Sequence, residues 1–113
     1  MRFIPATLSG VWRIELEPRE DERGFLARTY CEQEFTEHGL NTRWPQCNLT
    51  QTVARGMIRG LHWQAEPRPE VKLIRCVRGA VWDVVVDVRP ASPSFGHWEA
   101  FQFRGKSQGR GTI

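Results

Sequence analysis

"AVWDVVVDV", residues 80–88, decides how the chain is read. Five of its nine residues are valine, and β-branched side chains suit a pleated, half-buried backbone. Alternation along a strand puts Val81, Asp83, Val85 and Asp87 on one face and Trp82, Val84, Val86 and Val88 on the other. The second set reads as an apolar core stripe. Asp83 therefore faces something other than that core, and two readings stay open for it: a solvated sheet face, or a carboxylate lining a pocket.

Working outward, similar short runs recur at intervals of about ten residues, the rhythm of an all-β sandwich or barrel. "LSGVWRIEL" (8–16) and "FLARTYC" (25–31) flank a charged turn, "EPREDERG" (17–24). "TRWPQCNLTQT" (42–52), "GMIRGLHWQ" (56–64), "VKLIRCVRG" (71–79) and "FGHWEAFQF" (95–103) complete the set of expected strands. "EQEFTEHG" (32–39) reads instead as a short helix closed by Gly39. The Gly/Arg-rich end, 104–113, has no strand period and is expected to be a disordered tail behind one domain, 1–103.

Composition narrows the function classes. With 113 residues, 40% hydrophobic and 26% charged, the chain matches one ordinary globular domain. No apolar run approaches the roughly 18 residues of a membrane span, and the N-terminus lacks a signal-peptide core. The three cysteines, Cys31, Cys47 and Cys76, are scattered, which favours reduced thiols in the cytoplasm. Positive charge is nearly all arginine, fourteen against two lysines; arginine forks suit an anionic small molecule, and codon bias is the competing reading. Glutamates interleave with those arginines, so no basic stripe marks a nucleic-acid surface.

"RGLHWQ", residues 59–64, carries the chemistry. On a strand, Ile58, Gly60, His62 and Gln64 would share one face, and Gly60 would let a ligand approach beside His62. Lys72 on the next run, Gln46 and Asn48 on the preceding one, and Arg59 complete a possible pocket set. General acid–base chemistry wants such a set: a base of pKa near 7 and cations for developing negative charge. A structural histidine satisfied by its neighbours is the competing reading. A metal site is not expected, because the His-x-His pair by which barrels of this kind commonly hold a metal is missing: Gln64 stands where the second histidine would be, and His38 and His97 lie far along the chain.

Taken together, "DERGFLARTY", "QCN", "RGMIRGLHWQ" and "KLIRCVRGAVWDVVVDVRPASPSFG" resemble the dTDP-4-dehydrorhamnose 3,5-epimerase family, in order and spacing, from about residue 8 to residue 103. The resemblance implies a cupin-like jelly roll with one short helix, incomplete at its C-terminus. It implies no metal or organic cofactor, a homodimer, and a dTDP-linked 4-keto-6-deoxyhexose epimerised at C3 and C5 on the way to dTDP-L-rhamnose. His62 would be the base that removes the proton alpha to the C4 ketone, and Lys72 would stabilise the enolate oxygen. Arg59 would contact the substrate, Gln46 and Asn48 match a "QDN" stretch, and Arg23, with Phe25 beside it, would reach a nucleotide phosphate across the dimer. Arg28 and Cys47 depart from the family pattern, which has glutamate and aspartate there. Family members also continue well past residue 113, through a proton-donating tyrosine and an aspartate that orients the base. The expectation is therefore the N-terminal portion of such an enzyme, its activity crippled. A non-catalytic binding or assembly module and a 4-keto-sugar isomerase on the same scaffold are the alternatives.

Overall fold

The computed structural model describes residues 1–105. Seven elements follow one another: β1 (Arg2–Pro5), β2 (Trp12–Glu15), β3 (Arg19–Asp21), β4 (Gly24–Leu26), α1 (Glu32–Glu37), β5 (Gly79–Val86) and β6 (Trp98–Gly105). The strands pair antiparallel into three two-stranded sheets, β1–β2, β3–β4 and β5–β6. The expected class, mostly strand with one short helix, is what the chain adopts.

Several expected strands are not there. Residues 42–52, 56–64 and 71–78 form no strand, and only an isolated bridge at Arg75 marks them. A period-2 pattern licenses a strand only where a neighbour supplies a ladder of hydrogen bonds, and beyond the single bridge at Arg75 no described segment does so for these runs. Conversely, the charged stretch 17–24 holds β3, paired through Arg19↔Leu26, Glu20↔Phe25 and Asp21↔Gly24. Of the run 25–31, only Phe25 and Leu26 are strand. At the other end β6 includes Arg104 and Gly105, placed above in the tail; residues 106–113 lie outside the described residues.

β5 and β6 form the longest ladder, and their register corrects the expected core face. Val81 pairs with Phe103, Asp83 with Phe101 and Val85 with Glu99, and directly opposed residues share a face. Phe103 and Phe101 are buried, at 1% and 9% exposure, whereas Trp82 and Trp98 on the opposite face are 67% and 65% exposed. The covered face is thus the one that carries Asp83, and the supposed core stripe of Trp82, Val84, Val86 and Val88 is the barer one. Valines stand on both faces of β5, so the buried phenylalanines of β6 decide between them.

A second cluster joins the β1–β2 hairpin to α1. Phe35 is buried and meets Phe3 edge-on at 5.4 Å and Tyr30 at 4.9 Å; Phe3 stacks on His38 at 4.0 Å. The helix closes as expected. Gly39 takes φ +66°, its N–H donates to the Thr36 carbonyl and the Leu40 N–H to that of Phe35, the paired bonds of a left-handed glycine cap.

The two clusters are tied together at the loop after β5. The buried Asp87 carboxylate accepts from the backbone N–H of Arg89 (3.0 Å), the Arg89 guanidinium (2.8 Å twice), Ser92 Oγ (2.5 Å) and Ser94 Oγ (2.7 Å). Arg89 also donates to the Ser9 carbonyl at 3.1 Å, in the turn between β1 and β2. From β6, Glu99 accepts the backbone N–H of Thr7 at 2.9 Å and that of Leu8 at 3.4 Å.

Two outcomes follow from this packing. Phe103→Ala removes a fully buried ring and is expected to lower unfolding stability by about 3–5 kcal/mol, measured by denaturant titration. The Arg89 side chain, followed by Ser92 and Ser94, holds the Asp87 carboxyl far below the usual carboxylate range. A depressed folded-state pKa contributes stability that is full above the unfolded value, about 3.9, and that fades as pH falls toward the folded one. Thermal melts between about pH 5 and pH 2 are expected to show a steeper acid loss in the wild type than in Asp87→Asn.

Candidate functional site

The segment 56–72 presents the residues on which the chemistry would depend. Gly60 has φ +107°, a conformation that L side chains rarely adopt, so a residue other than glycine is strained there. A Cβ on it would lie 3.6 Å from the His62 backbone nitrogen and 4.0 Å from Nδ1 of the ring. Gly60 therefore turns the chain into His62 rather than continuing a strand, and the expected alternation of faces over 56–64 does not apply.

His62 and Lys72 are brought together. The Lys72 ammonium donates to the His62 carbonyl oxygen at 3.0 Å, across ten residues of sequence, and pairs with Glu70 Oε1 at 2.9 Å. Base candidate and cation candidate are thus joined at one backbone group. Both side chains are exposed. Glu70 was missed in the sequence; its place two residues before Lys72 was the available signal.

The other expected residues are less closely placed. Arg59 reaches back to the Gln51 carbonyl at 3.4 Å, and Gln46 and Asn48 are exposed on the preceding loop. Arg23 stands at the β3–β4 turn, 84% exposed, with its guanidinium on Asp21 at 2.6 Å; Phe25 follows on β4, also exposed. That contact holds the Asp21 carboxyl below its ordinary value and raises the Arg23 guanidinium. Arg28, the departure from the family pattern, is held by Glu34 at 2.7 Å. The described contacts do not bring Arg23, Phe25, Gln46 or Asn48 against His62.

No group of three or more His, Cys, Asp or Glu side chains among the described residues is arranged to hold a metal ion. No helix among them is long and apolar enough to cross a membrane. A cleft lined by Thr7, Leu8, Gly96, His97, Trp98 and Glu99 lies apart from the His62–Lys72 pair and shares no residue with it.

Comparison with known proteins matches this arrangement to one family. The family model for dTDP-4-dehydrorhamnose 3,5-epimerase covers residues 5–110. The dTDP-4-dehydrorhamnose 3,5-epimerase of Methanothermobacter thermautotrophicus is 45% identical over 97 residues, which are 86% of this chain and 51% of that one. The crystal structure of the enzyme of that name from Elizabethkingia anophelis superposes on the whole chain with a TM-score of 0.90 at 33% identity, over 62% of its own length. The RmlC structure from Legionella pneumophila, in complex with dTDP-4-keto-L-rhamnose, gives 0.85 at 31% identity over 99% of this chain and 59% of that one. The chain spans about half the length of the curated relatives it matches. A fold shared along its whole length, and a family pattern running from residue 5 to residue 110, make the chain a member of the dTDP-4-dehydrorhamnose 3,5-epimerase family, with its cupin-like fold.

Proposed function

We propose that the chain carries the base half of a nucleotide-sugar epimerase site, acting on a dTDP-linked 4-keto-6-deoxyhexose. The observation that carries this reading is the hydrogen bond from the Lys72 ammonium to the His62 carbonyl. A C–H beside a ketone becomes removable only when a base stands at the carbon and a positive group stands at the oxygen. In the proposed step the His62 imidazole takes the proton from C3 or C5, and the C–H electron pair moves into the new C=C bond. The former C4 carbonyl oxygen becomes an enolate facing Lys72. Return of a proton to the opposite face of the carbon inverts the centre and restores the ketone.

Ligand binding would use the arginines. Arg59 and the amides Gln46 and Asn48 are suited to the sugar and nucleotide, while Arg23 and Phe25 are suited to the phosphate and base of a substrate held by the second subunit of a homodimer. The exposure of the β3–β4 turn supports that delivery, since Arg23 is 84% exposed and pairs with Asp21 two residues before it. Such a substrate places the protein in the cytoplasm.

Inversion needs a donor on the face opposite His62. The chain has one tyrosine, Tyr30, and its hydroxyl donates to the Thr42 carbonyl at 2.9 Å while its ring packs on Phe35. Tyr30 is thus occupied by the fold and is not that donor in this reading. Incubated in D2O with dTDP-4-keto-6-deoxyglucose, the protein is expected to wash deuterium into C3 or C5, followed by NMR. Loss of a positioned base typically costs about 10²–10⁴ in rate, so His62→Asn is expected to bring exchange to the protein-free level. Exchange equal in wild type and His62→Asn would overturn the assignment. Binding of the sugar nucleotide with no exchange in either would favour a non-catalytic binding module.

A further inference from the structure

The stretch "AEPRPEVK", residues 65–72, approaches Lys72 through two prolines, Pro67 and Pro69. A proline ring fixes its own φ and restricts the residue before it, so this approach has fewer backbone states than an ordinary loop. The Arg68 N–H donates to the Ala65 carbonyl at 3.2 Å and closes a turn in the same stretch. Glu70 follows Pro69 directly, and its Oε1 stands 2.9 Å from the Lys72 ammonium. The carboxylate is thus carried on the stiffest part of a segment that has no strand ladder.

Lys72 ends a flexible four-carbon stem, and one hydrogen bond leaves its ammonium free to swing about the acceptor. Among the described hydrogen bonds and ion pairs it has two holds: the bond to the His62 carbonyl at 3.0 Å and the pair with Glu70. Two holds fix a position. An ammonium carries three N–H donors, so it keeps a donor for a further oxygen. A carboxylate beside a cation also offsets part of the field that a developing enolate would feel. Glu70 is therefore a poor device for strengthening Lys72 and a good one for placing it.

We propose that Glu70 is a positioning residue for Lys72: its carboxylate holds the ammonium against the His62 carbonyl, with a donor left for the oxygen on which negative charge develops. This rests on the base-and-cation reading given above. Glu70 itself touches no reacting atom; it sets where the cation stands relative to the imidazole that precedes it by ten residues.

The bond to His62 gives a readout that needs no sugar nucleotide. With histidine labelled at the carbonyl carbon, the His62 signal is assigned through its bond to the Trp63 nitrogen and followed by NMR. Glu70→Ala is expected to move this signal most of the way to its position in Lys72→Met. A signal that stays at its wild-type position in Glu70→Ala, or that Lys72→Met fails to move, overturns the proposal. The second readout is deuterium exchange into dTDP-4-keto-6-deoxyglucose. Glu70→Ala is expected to lower the rate at saturating substrate by about two- to fivefold with KM unchanged, the rate equivalent of an ion pair whose side chains are 31% and 42% exposed. A change confined to KM makes Glu70 a ligand contact, and an unchanged or faster rate makes it a charge that weakens Lys72; either overturns the positioning role. A wild type that exchanges no deuterium removes the epimerase reading, and the carbonyl signal alone then decides whether Glu70 holds Lys72.

Discussion

The pairing of β5 with β6 is the constraint on which the rest depends. One register, Asp83 against Phe101, settles which side chains are covered and which are bare. It buries Phe101 and Phe103, it puts Asp83 half out of water on the same side, and it leaves Trp82 and Trp98 facing outward. A slip by one residue would exchange the faces and send Asp83 to the side of the two tryptophans.

The loop that joins these two strands does more than connect them. Asp87 gathers donors from Arg89, Ser92 and Ser94, and its backbone closes the loop through the Gly96 N–H and the His97 carbonyl. Charge-assisted bonds of this kind are roughly twice as strong as neutral ones, and here they converge on one buried carboxylate. Arg89 and Glu99 then carry the order of this sheet to the β1–β2 turn. Among the described residues, the segment 56–72 has no such bracing. Its described links are the bonds of Lys72 to His62 and Glu70 and of Arg59 to Gln51.

Much of this was legible in the residues, and the failures have physical causes. The valine run and the aromatic run predicted β5 and β6, because continuous β-branched and aromatic residues suit a pleated backbone. Gly39 marked the end of α1, because the left-handed cap needs glycine. The covered face of β5 was misread, since alternation says which residues share a face but not which face is packed; that depended on Phe101 and Phe103 of the partner strand. The expected strands at 42–52, 56–64 and 71–78 failed because a ladder is a property of two segments, and a pattern is a property of one. The site was legible mainly through family likeness. His62 and Lys72 stood out in the residues and took their expected roles from that likeness, whereas Glu70 escaped notice.

The central claim is that the sugar-nucleotide site is the His62–Lys72 region and its arginines. Titration of the isotope-labelled chain with dTDP, followed by two-dimensional NMR, tests it most directly. The account predicts shifts at Arg23, Arg59, Gln46, Asn48, His62 and Lys72 that saturate together. Shifts confined to the cleft of Thr7, Leu8, His97 and Glu99, with His62 and Lys72 unmoved, would contradict it.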